Sequence, residues 1–291
     1  MQPAWLPYSA TYMVCATMLI VVGVLDDKFD LPVMPRMSIQ AVIAGIMMFN
    51  GLYLHSLGYI ILGYELTLGV LGYVVTLLAV VGAINAFNMV DGIDGLLGAL
   101  SSVTFGGLAA IFWLHGDNEK ALWCLCLVVA CLPYILLNLG IPWGRKFKVF
   151  MGDAGSTLIG FTVIWLLIVA TQGEDAVIQP VTALWLIAVP LMDMMRVMIT
   201  RIRRGDSPFK PDREHLHHVL LNHGLTSHTT LLIMAGMSIM LTCTGILLEY
   251  LSVSDSINIS IFLVLLFFYN IKIKSKTLDC SVNSERKSLI Q

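Results

Sequence analysis

The sequence has little charge. Only 12% of its 291 residues are Asp, Glu, Lys or Arg, whereas 57% are hydrophobic and the mean hydropathy is +0.83. An average soluble domain carries about 25% charged residues, so this composition excludes a water-soluble globule and also a disordered or fibrous chain. No basic stripe indicates nucleic acid, and the six cysteines lack the spacing of a metal site or a disulfide scaffold. The remaining class is an all-α polytopic membrane protein.

Long apolar runs are abundant. A spanning helix needs about 20 mostly apolar residues, and nine runs reach or approach that length. The predicted spans cover residues 8–25, 37–54, 68–88, 96–114, 121–139, 156–171, 181–199, 231–250 and 257–271. An odd number of spans places the two termini on opposite sides of the membrane.

Lysine and arginine are distributed unequally between the two sides. If the nine spans alternate in direction, 16 of the 17 Lys and Arg residues fall on one side and Lys120 alone on the other. Such residues accumulate on the cytoplasmic side of a membrane. We therefore predict an external N-terminus, a cytoplasmic C-terminus and a single multi-span domain over residues 1–271, followed by a cytoplasmic tail over 272–291.

Aspartates collect at the predicted cytoplasmic ends of the spans, and an ionisable group at membrane depth usually marks a function. Asp26 and Asp27 end the first span. Adjacent residues of a helix diverge by about 100°, so one carboxylate is expected to point inward and the other toward the loop. Oxygen ligands of this kind suit Mg²⁺, which takes substrate phosphates as further ligands. Asp30 and Asp193, taken alone, are interpreted as solvated helix-end residues.

A second polar group lies in NAFNMVDGIDG, where Asn85, Asn88, Asp91 and Asp94 recur every third residue. A helix places residues at this spacing on one face, and asparagines at membrane depth need hydrogen-bond partners. A polar helix end followed by a glycine turn is the plainer alternative. Four polar residues in register favour a functional face.

A third group, KFKVFMGDAGS, combines basic residues and glycines with Phe150 and Asp153 at a predicted helix start. A helix N-terminus favours an anion, and a metal that bridges Asp153 to a phosphate reconciles this preference with the carboxylate. Phe150 is alternatively an aromatic residue of the membrane interface.

A fourth group, PDREHLHHVL, places His215, His217 and His218 beside Arg213 in the longest cytoplasmic loop. Histidine can carry protons or contact phosphate, whereas this spacing does not favour zinc. Taken together, the four groups predict Mg²⁺-assisted chemistry on a phosphate or diphosphate at the membrane surface. That location indicates a lipid as one substrate.

The motifs LDD, NAFNMVDGIDG, VFMGDAGS and HLHH, in this order, resemble those of the polyprenyl-phosphate N-acetylhexosamine-1-phosphate transferase superfamily, and the resemblance extends to about residue 269. Within it, the chain is most similar to the enterobacterial branch that uses UDP-N-acetylglucosamine (UDP-GlcNAc). The resemblance implies that undecaprenyl phosphate attacks the β-phosphate of UDP-GlcNAc, giving undecaprenyl-diphosphate-GlcNAc and UMP and initiating O-antigen or enterobacterial common antigen synthesis. It also implies Mg²⁺ or Mn²⁺ as cofactor and a site on the cytoplasmic face of the bacterial inner membrane.

The resemblance also assigns roles to individual residues. The catalytic group is Asp26, Asp27, Asp91, Asp94, His215, His217 and His218. The nucleotide-sugar group is Asn85, Asn88, Asn138, Phe150 and Arg213, with Phe150 stacked on the uracil. The metal group is Asp153 and Asp27. No general base is obligatory, because a lipid phosphate is already anionic near pH 7.

One departure from the family concerns length. Family members of this type usually have two further N-terminal spans joined by a basic cytoplasmic loop, so the resemblance predicts a chain without those spans and without one wall of its site. Rival interpretations are a phospho-MurNAc-pentapeptide transferase, which typically has three consecutive histidines, and an inactive shortened paralogue. A cation or proton transporter would instead place acids near mid-bilayer and on both faces. A homodimer is a further expectation.

Overall fold

The computed structural model describes residues 8–61, 63–207 and 214–288. Within these ranges the chain is helical and contains no β-strand, as its composition predicts. The helices are α1 (Ser9–Phe29), α2 (Val33–Phe49), α3 (Leu71–Val90), α4 (Leu96–Leu114), α5 (Asn118–Asn138), α6 (Gly152–Thr171), α7 (Pro180–Leu186), α8 (Ala188–Arg203), α9 (Leu216–Asn222), α10 (Ser227–Tyr250) and α11 (Asp255–Ser288). A 3₁₀ turn, Arg145–Phe147, lies between α5 and α6.

Seven helices in the described ranges are long and apolar enough to cross a membrane, namely α1, α3, α4, α5, α6, α10 and the first part of α11, Asp255–Ile273. The bent pair α7–α8 is an eighth candidate, and α2 is a shorter apolar helix of 17 residues. Each of the nine predicted spans therefore falls on a helix or on the bent pair. The bounds 37–54 were wrong for α2, because Pro35 is tolerated inside its first turn and does not precede the helix.

The seventh predicted span, 181–199, is wrong as a single helix. The axes of α7 and α8 differ by 87° across a break at Ile187. Pro190 explains the break, because a proline ring clashes with the carbonyl four residues earlier, here that of Leu186, and cannot donate to it. Thr104 of α4 instead donates its hydroxyl to the Leu186 carbonyl at 2.9 Å. This bond satisfies a backbone group that lipid could not.

The helices alternate in direction, and the polar motifs consequently meet at one end of the bundle. We call this end the site face; α1, α3, α5 and α8 end there, whereas α2, α4, α6 and α10 begin there. Helix α6 packs between α1 and α3. A Cβ on Gly23 of α1 would overlap the backbone of Ala154 in α6, and small residues permit such close approach between membrane helices. This contact sets the end of α1 beside the start of α6.

Candidate active site

Asp27 caps the start of α6. Its Oδ1 accepts a hydrogen bond from the Asp153 backbone N–H at 2.7 Å, and its Oδ2 accepts from the Ala154 N–H at 3.4 Å. The first N–H groups of a helix lack partners within the helix and carry partial positive charge, so a carboxylate is favoured there. The exposed Asp27 carboxylate and the Asp153 side chain therefore share one helix start.

Asp26 points the other way, as the sequence predicts for one member of an adjacent pair. Its side chain is buried, and its Oδ2 accepts from Arg36 Nη1 at 2.9 Å. Its Oδ1 accepts from the Leu31 backbone N–H at 2.8 Å. Both oxygens of Asp26 therefore hold the turn between α1 and α2, whereas Asp27 is the member of the pair that solvent can reach.

The two asparagines at the end of α3 have hydrogen-bond partners on different neighbouring helices. Asn88 Nδ2 donates to Asp153 Oδ1 at 2.5 Å and to Ser156 Oγ at 2.8 Å, both on α6. Asn85 Nδ2 donates to Gln40 Oε1 on α2 at 2.7 Å. The prediction that asparagines at this depth have hydrogen-bond partners is thus confirmed, and Asn88 orients the Asp153 carboxylate.

Asp91 and Asp94 do not continue the helix that carries the asparagines. Helix α3 ends at Val90, and residues 91–95 form a turn before α4. The prediction of one helical face for all four residues was wrong, and the glycine turn that was its alternative is what forms. Asp91 Oδ1 accepts from the Tyr134 hydroxyl at 3.3 Å, and Asp94 forms an ion pair with Lys148.

The surroundings of Asp91 perturb the ionisation of its carboxyl group. Burial raises the pKa of Asp91, and the negative charges of Asp153 and Asp94 raise it further, while the hydrogen bond from Tyr134 partly offsets the rise. The turn and the start of α6 therefore lie close enough for the charges of Asp91 and Asp153 to interact.

Asn138 and Phe150 occupy contrasting positions. Asn138 is buried; its Oδ1 accepts from the Gly95 N–H at 2.5 Å, and its Nδ2 donates to the Val149 carbonyl at 2.8 Å. It joins the turn after α3 to the segment before α6, so its polar atoms serve the backbone. Phe150, on that segment, is 72% exposed and is available for stacking. Phe150 is therefore exposed, whereas both polar groups of Asn138 are engaged by the backbone.

The histidine segment lies against the end of α8. His215 Nδ1 is 2.8 Å from Asp193 Oδ2, and the His215 and His217 rings are parallel within 4° at 5.9 Å between centroids. The His217 and His218 centroids lie 4.2 Å apart. The fourth predicted residue of this group, Arg213, lies outside the described residues.

His217 links the histidine segment to the turn after α3. Its ring is 1% exposed and lies so close to Gly92 that a Cβ there would overlap the imidazole. Neither ring nitrogen has a hydrogen-bond partner among the described residues. Burial and the neighbouring His218 lower the pKa of His217 to about 4, so this ring is neutral at pH 7.

Sequence comparison assigns the family to which this bundle belongs. Residues 9–171, more than half of the chain, match the family model described as glycosyl transferase family 4. The chain belongs to glycosyl transferase family 4. It is 51% identical over 272 residues to the undecaprenyl-phosphate alpha-N-acetylglucosaminyl 1-phosphate transferase of Escherichia coli strain K12, an alignment that covers 93% of this chain and 74% of that relative.

Two further relatives carry the same name. The protein of Salmonella typhi is 52% identical over 272 residues, again 93% of this chain and 74% of the relative. The protein of Haemophilus influenzae is 47% identical over 265 residues, 91% of this chain and 74% of the relative. The superfamily resemblance identified from the four motifs is thereby confirmed.

Sequence reasoning missed two residues that organise this candidate site. Asp193 is 1% exposed and hydrogen-bonded to the histidine segment, so its interpretation as a solvated helix end was wrong. The signal was an aspartate within an apolar helix three residues before Arg196, since buried charges need partners. The other residue is Arg36, which pairs with Asp26. The signal in the sequence was a basic residue shortly after a pair of carboxylates.

Proposed function

We propose that the chain transfers N-acetylglucosamine 1-phosphate from UDP-GlcNAc to undecaprenyl phosphate. An oxygen of the lipid phosphate forms a bond to the β-phosphorus, and the bond from that phosphorus to the bridging oxygen breaks, so that UMP leaves with the electron pair. The observation that carries the proposal is the meeting of Asp27, Asp153 and Asn88 at one end of a membrane-helix bundle. The names of the relatives supply the substrates.

An apolar cavity supports a lipid acceptor. It has a volume of about 280 Å³ and lies between α3, α6 and the bent pair α7–α8. Its lining includes Ala86 and Phe87 near the end of α3 and extends to Leu54 and Pro180 near the opposite face. Because the lining is almost entirely apolar, the cavity suits a segment of a polyprenyl chain and not the nucleotide, which needs the polar site face.

The donor set fits Mg²⁺, with Mn²⁺ as an alternative. Among the described residues no three His, Cys, Asp or Glu side chains come together as a complete metal cage. Mg²⁺ does not require one, since it is commonly held by one or two carboxylates together with substrate phosphates. Asp27 and Asp153, at one helix start, would supply those carboxylates. When bound, the ion would neutralise negative charge on the diphosphate.

The remaining polar residues position substrate. Phe150 is exposed and suits stacking on the uracil ring. The histidine segment, held against the Asp91–Asp94 turn, suits contact with the diphosphate and the sugar. No side chain needs to remove a proton from the acceptor, because the lipid phosphate is anionic near neutral pH. The unequal distribution of Lys and Arg supports a cytoplasmic site face in the bacterial inner membrane.

The rival functions are less well supported. The chain shares its high identity with GlcNAc 1-phosphate transferases, which disfavours a phospho-MurNAc-pentapeptide substrate. A transporter is disfavoured because Asp27 and Asp153 meet at the end of the bundle, where α1 ends and α6 begins, and not near its middle. The activity of the purified chain tests the alternative of an inactive paralogue. Its mass in solution tests the expectation of a homodimer.

The proposal is tested by UMP release from the purified chain in proteoliposomes. We expect release that requires UDP-GlcNAc, undecaprenyl phosphate and Mg²⁺ together, and loss of release on addition of EDTA followed by recovery with excess Mg²⁺. UDP-MurNAc-pentapeptide in place of UDP-GlcNAc should give none. Absence of lipid-dependent UMP release, with the helical content intact by circular dichroism, would refute the proposed function.

A further inference from the structure

Asp193 is a buried carboxylate surrounded by donors from three parts of the chain. Its Oδ2 lies 2.8 Å from His215 Nδ1, while its Oδ1 accepts from the Leu216 N–H at 2.9 Å and from the Tyr269 hydroxyl at 3.1 Å. Arg196 Nη2 lies 3.5 Å from Oδ1. A helix within the bundle, the histidine segment and α11 are thus connected through one side chain.

The carboxylate fixes which nitrogen of His215 carries a proton. An ionised carboxylate only accepts hydrogen bonds, so Nδ1 must be the protonated nitrogen where it faces Oδ2. A neutral imidazole then has an unprotonated Nε2, which can accept a proton or a hydrogen bond. The Leu216 N–H and the Tyr269 hydroxyl hold the carboxylate itself in place, so the ring orientation is determined as well as its tautomer.

We propose that Asp193 is a positioning residue for the transfer reaction, which holds His215 as its Nδ1–H tautomer with Nε2 directed away from Asp193 and available to accept a hydrogen bond from a hydroxyl group of the donor sugar. The inference rests on the proposed function for its substrate. It extends the site beyond the four sequence motifs, to α8 and to Tyr269 of α11.

Substitution of Asp193 by asparagine changes the tautomer without removing volume. The Leu216 N–H cannot reverse its direction, so the amide oxygen stays at the Oδ1 position and the amide NH₂ faces His215. Nδ1 must then accept, and the proton moves to Nε2. In a serine protease the same Asp-to-Asn change lowers kcat by about 10⁴-fold through the wrong tautomer, and carboxylates that orient metal-bound histidines contribute about 10- to 100-fold.

The test compares Asp193→Asn with Asp175→Asn in the UMP-release assay. We expect Asp193→Asn to lower kcat by roughly 10²-fold with both KM values within about threefold. Asp175→Asn makes the same chemical change at an exposed residue of the opposite face and should keep kcat within about threefold.

A double variant separates positioning from a general structural role. In a His215→Gln background, Asp193→Asn should cause no further loss, because residues that act as a unit are not additive. Multiplicative losses, or an Asp193→Asn protein with the kcat of the wild type, would overturn the inference. If the wild type and Asp175→Asn release no UMP, the proposed function has failed instead.

A measurement on the unaltered chain covers the case in which Asp193→Asn does not fold. Nitrogen-15 spectra of the histidine-labelled wild type, with His215 assigned by comparison with His215→Gln, should show a protonated Nδ1 and an unprotonated Nε2 at pH 8. A protonated Nε2 with a bare Nδ1 would overturn the inference, whatever the activity.

Discussion

Removal of Arg36 tests how the aspartate pair is held. Arg36→Gln leaves the Asp26 carboxylate, whose side chain is 4% exposed, with the Leu31 N–H as its remaining hydrogen-bond donor among the described residues. Breaking a fully buried ion pair costs about 3–5 kcal/mol. Arg36 is itself 32% exposed, so water screens its side of the pair, and we expect a loss of about 1–3 kcal/mol. With the entropy of unfolding typical of a large domain, a loss of that size lowers the melting temperature by roughly 2–10 °C.

The assay is thermal unfolding of the detergent-solubilised chain for the wild type, Arg36→Gln, Asp26→Asn and the double variant. The double variant replaces both ions by neutral groups that can still hydrogen-bond to each other, so it should be more stable than Arg36→Gln alone. Unfolding of Arg36→Gln at the wild-type temperature would show that the ion pair does not hold Asp26. If the stability lost in the double variant equals the sum of the losses in the two single variants, Arg36 and Asp26 are not coupled.

Three other predictions concern the contacts that join the motifs. Gly92→Ala places a Cβ on the His217 ring and should lower kcat at least about tenfold by displacing the histidine segment, whereas Gly106→Ala, where a Cβ meets open space, should leave kcat unchanged. Equal activity of the two variants would contradict the importance of the contact between Gly92 and His217. Burial lowers the pKa of His217 to about 4, so between about pH 6.5 and 4 the unfolded chain binds a proton that the folded chain does not, and the free energy of unfolding should fall by up to about 3 kcal/mol as the pH drops through that interval. His217→Gln should reduce this dependence of stability on pH, and an unchanged slope would contradict the prediction. Thr104→Val leaves the Leu186 carbonyl without its hydroxyl donor and should lower the free energy of unfolding by about 1–3 kcal/mol, measured by thermal unfolding. No loss of stability would show that the Leu186 carbonyl does not depend on this hydrogen bond.

The sequence predicted the features that depend on residues close together along the chain. Apolar runs long enough to span a bilayer predicted nine spans, each of which falls on a described helix or on the bent pair α7–α8, since lipid requires a helix to satisfy its own backbone. The same reasoning identified the polar groups at the span ends, because carboxylates and asparagines at that depth are costly and usually mark a function. Pro190 was also visible in the sequence, but a proline alone did not predict the break at Ile187, since Pro133 lies inside the continuous helix α5.

The pairing of side chains across helices could not be read from one sequence. Asp193 and His215 lie 22 positions apart, and Asp27 contacts Asp153 across 126 positions. Only the packing of α1 on α6 and of the histidine segment on α8 creates these contacts. The spacing of Asn85, Asn88, Asp91 and Asp94 was misleading, because a turn with two glycines replaces the helix after Val90.

The most direct test of the account is UMP release by Asp27→Asn and Asp153→Asn variants of a wild-type chain shown to be active. Both substitutions keep side-chain shape and a hydrogen-bond acceptor, so each protein should fold while the pair loses the charge that a divalent cation needs. The account predicts that each variant loses UMP release, whereas Asp175→Asn retains it. Retained activity in both site variants would contradict the assignment of the active site to the start of α6.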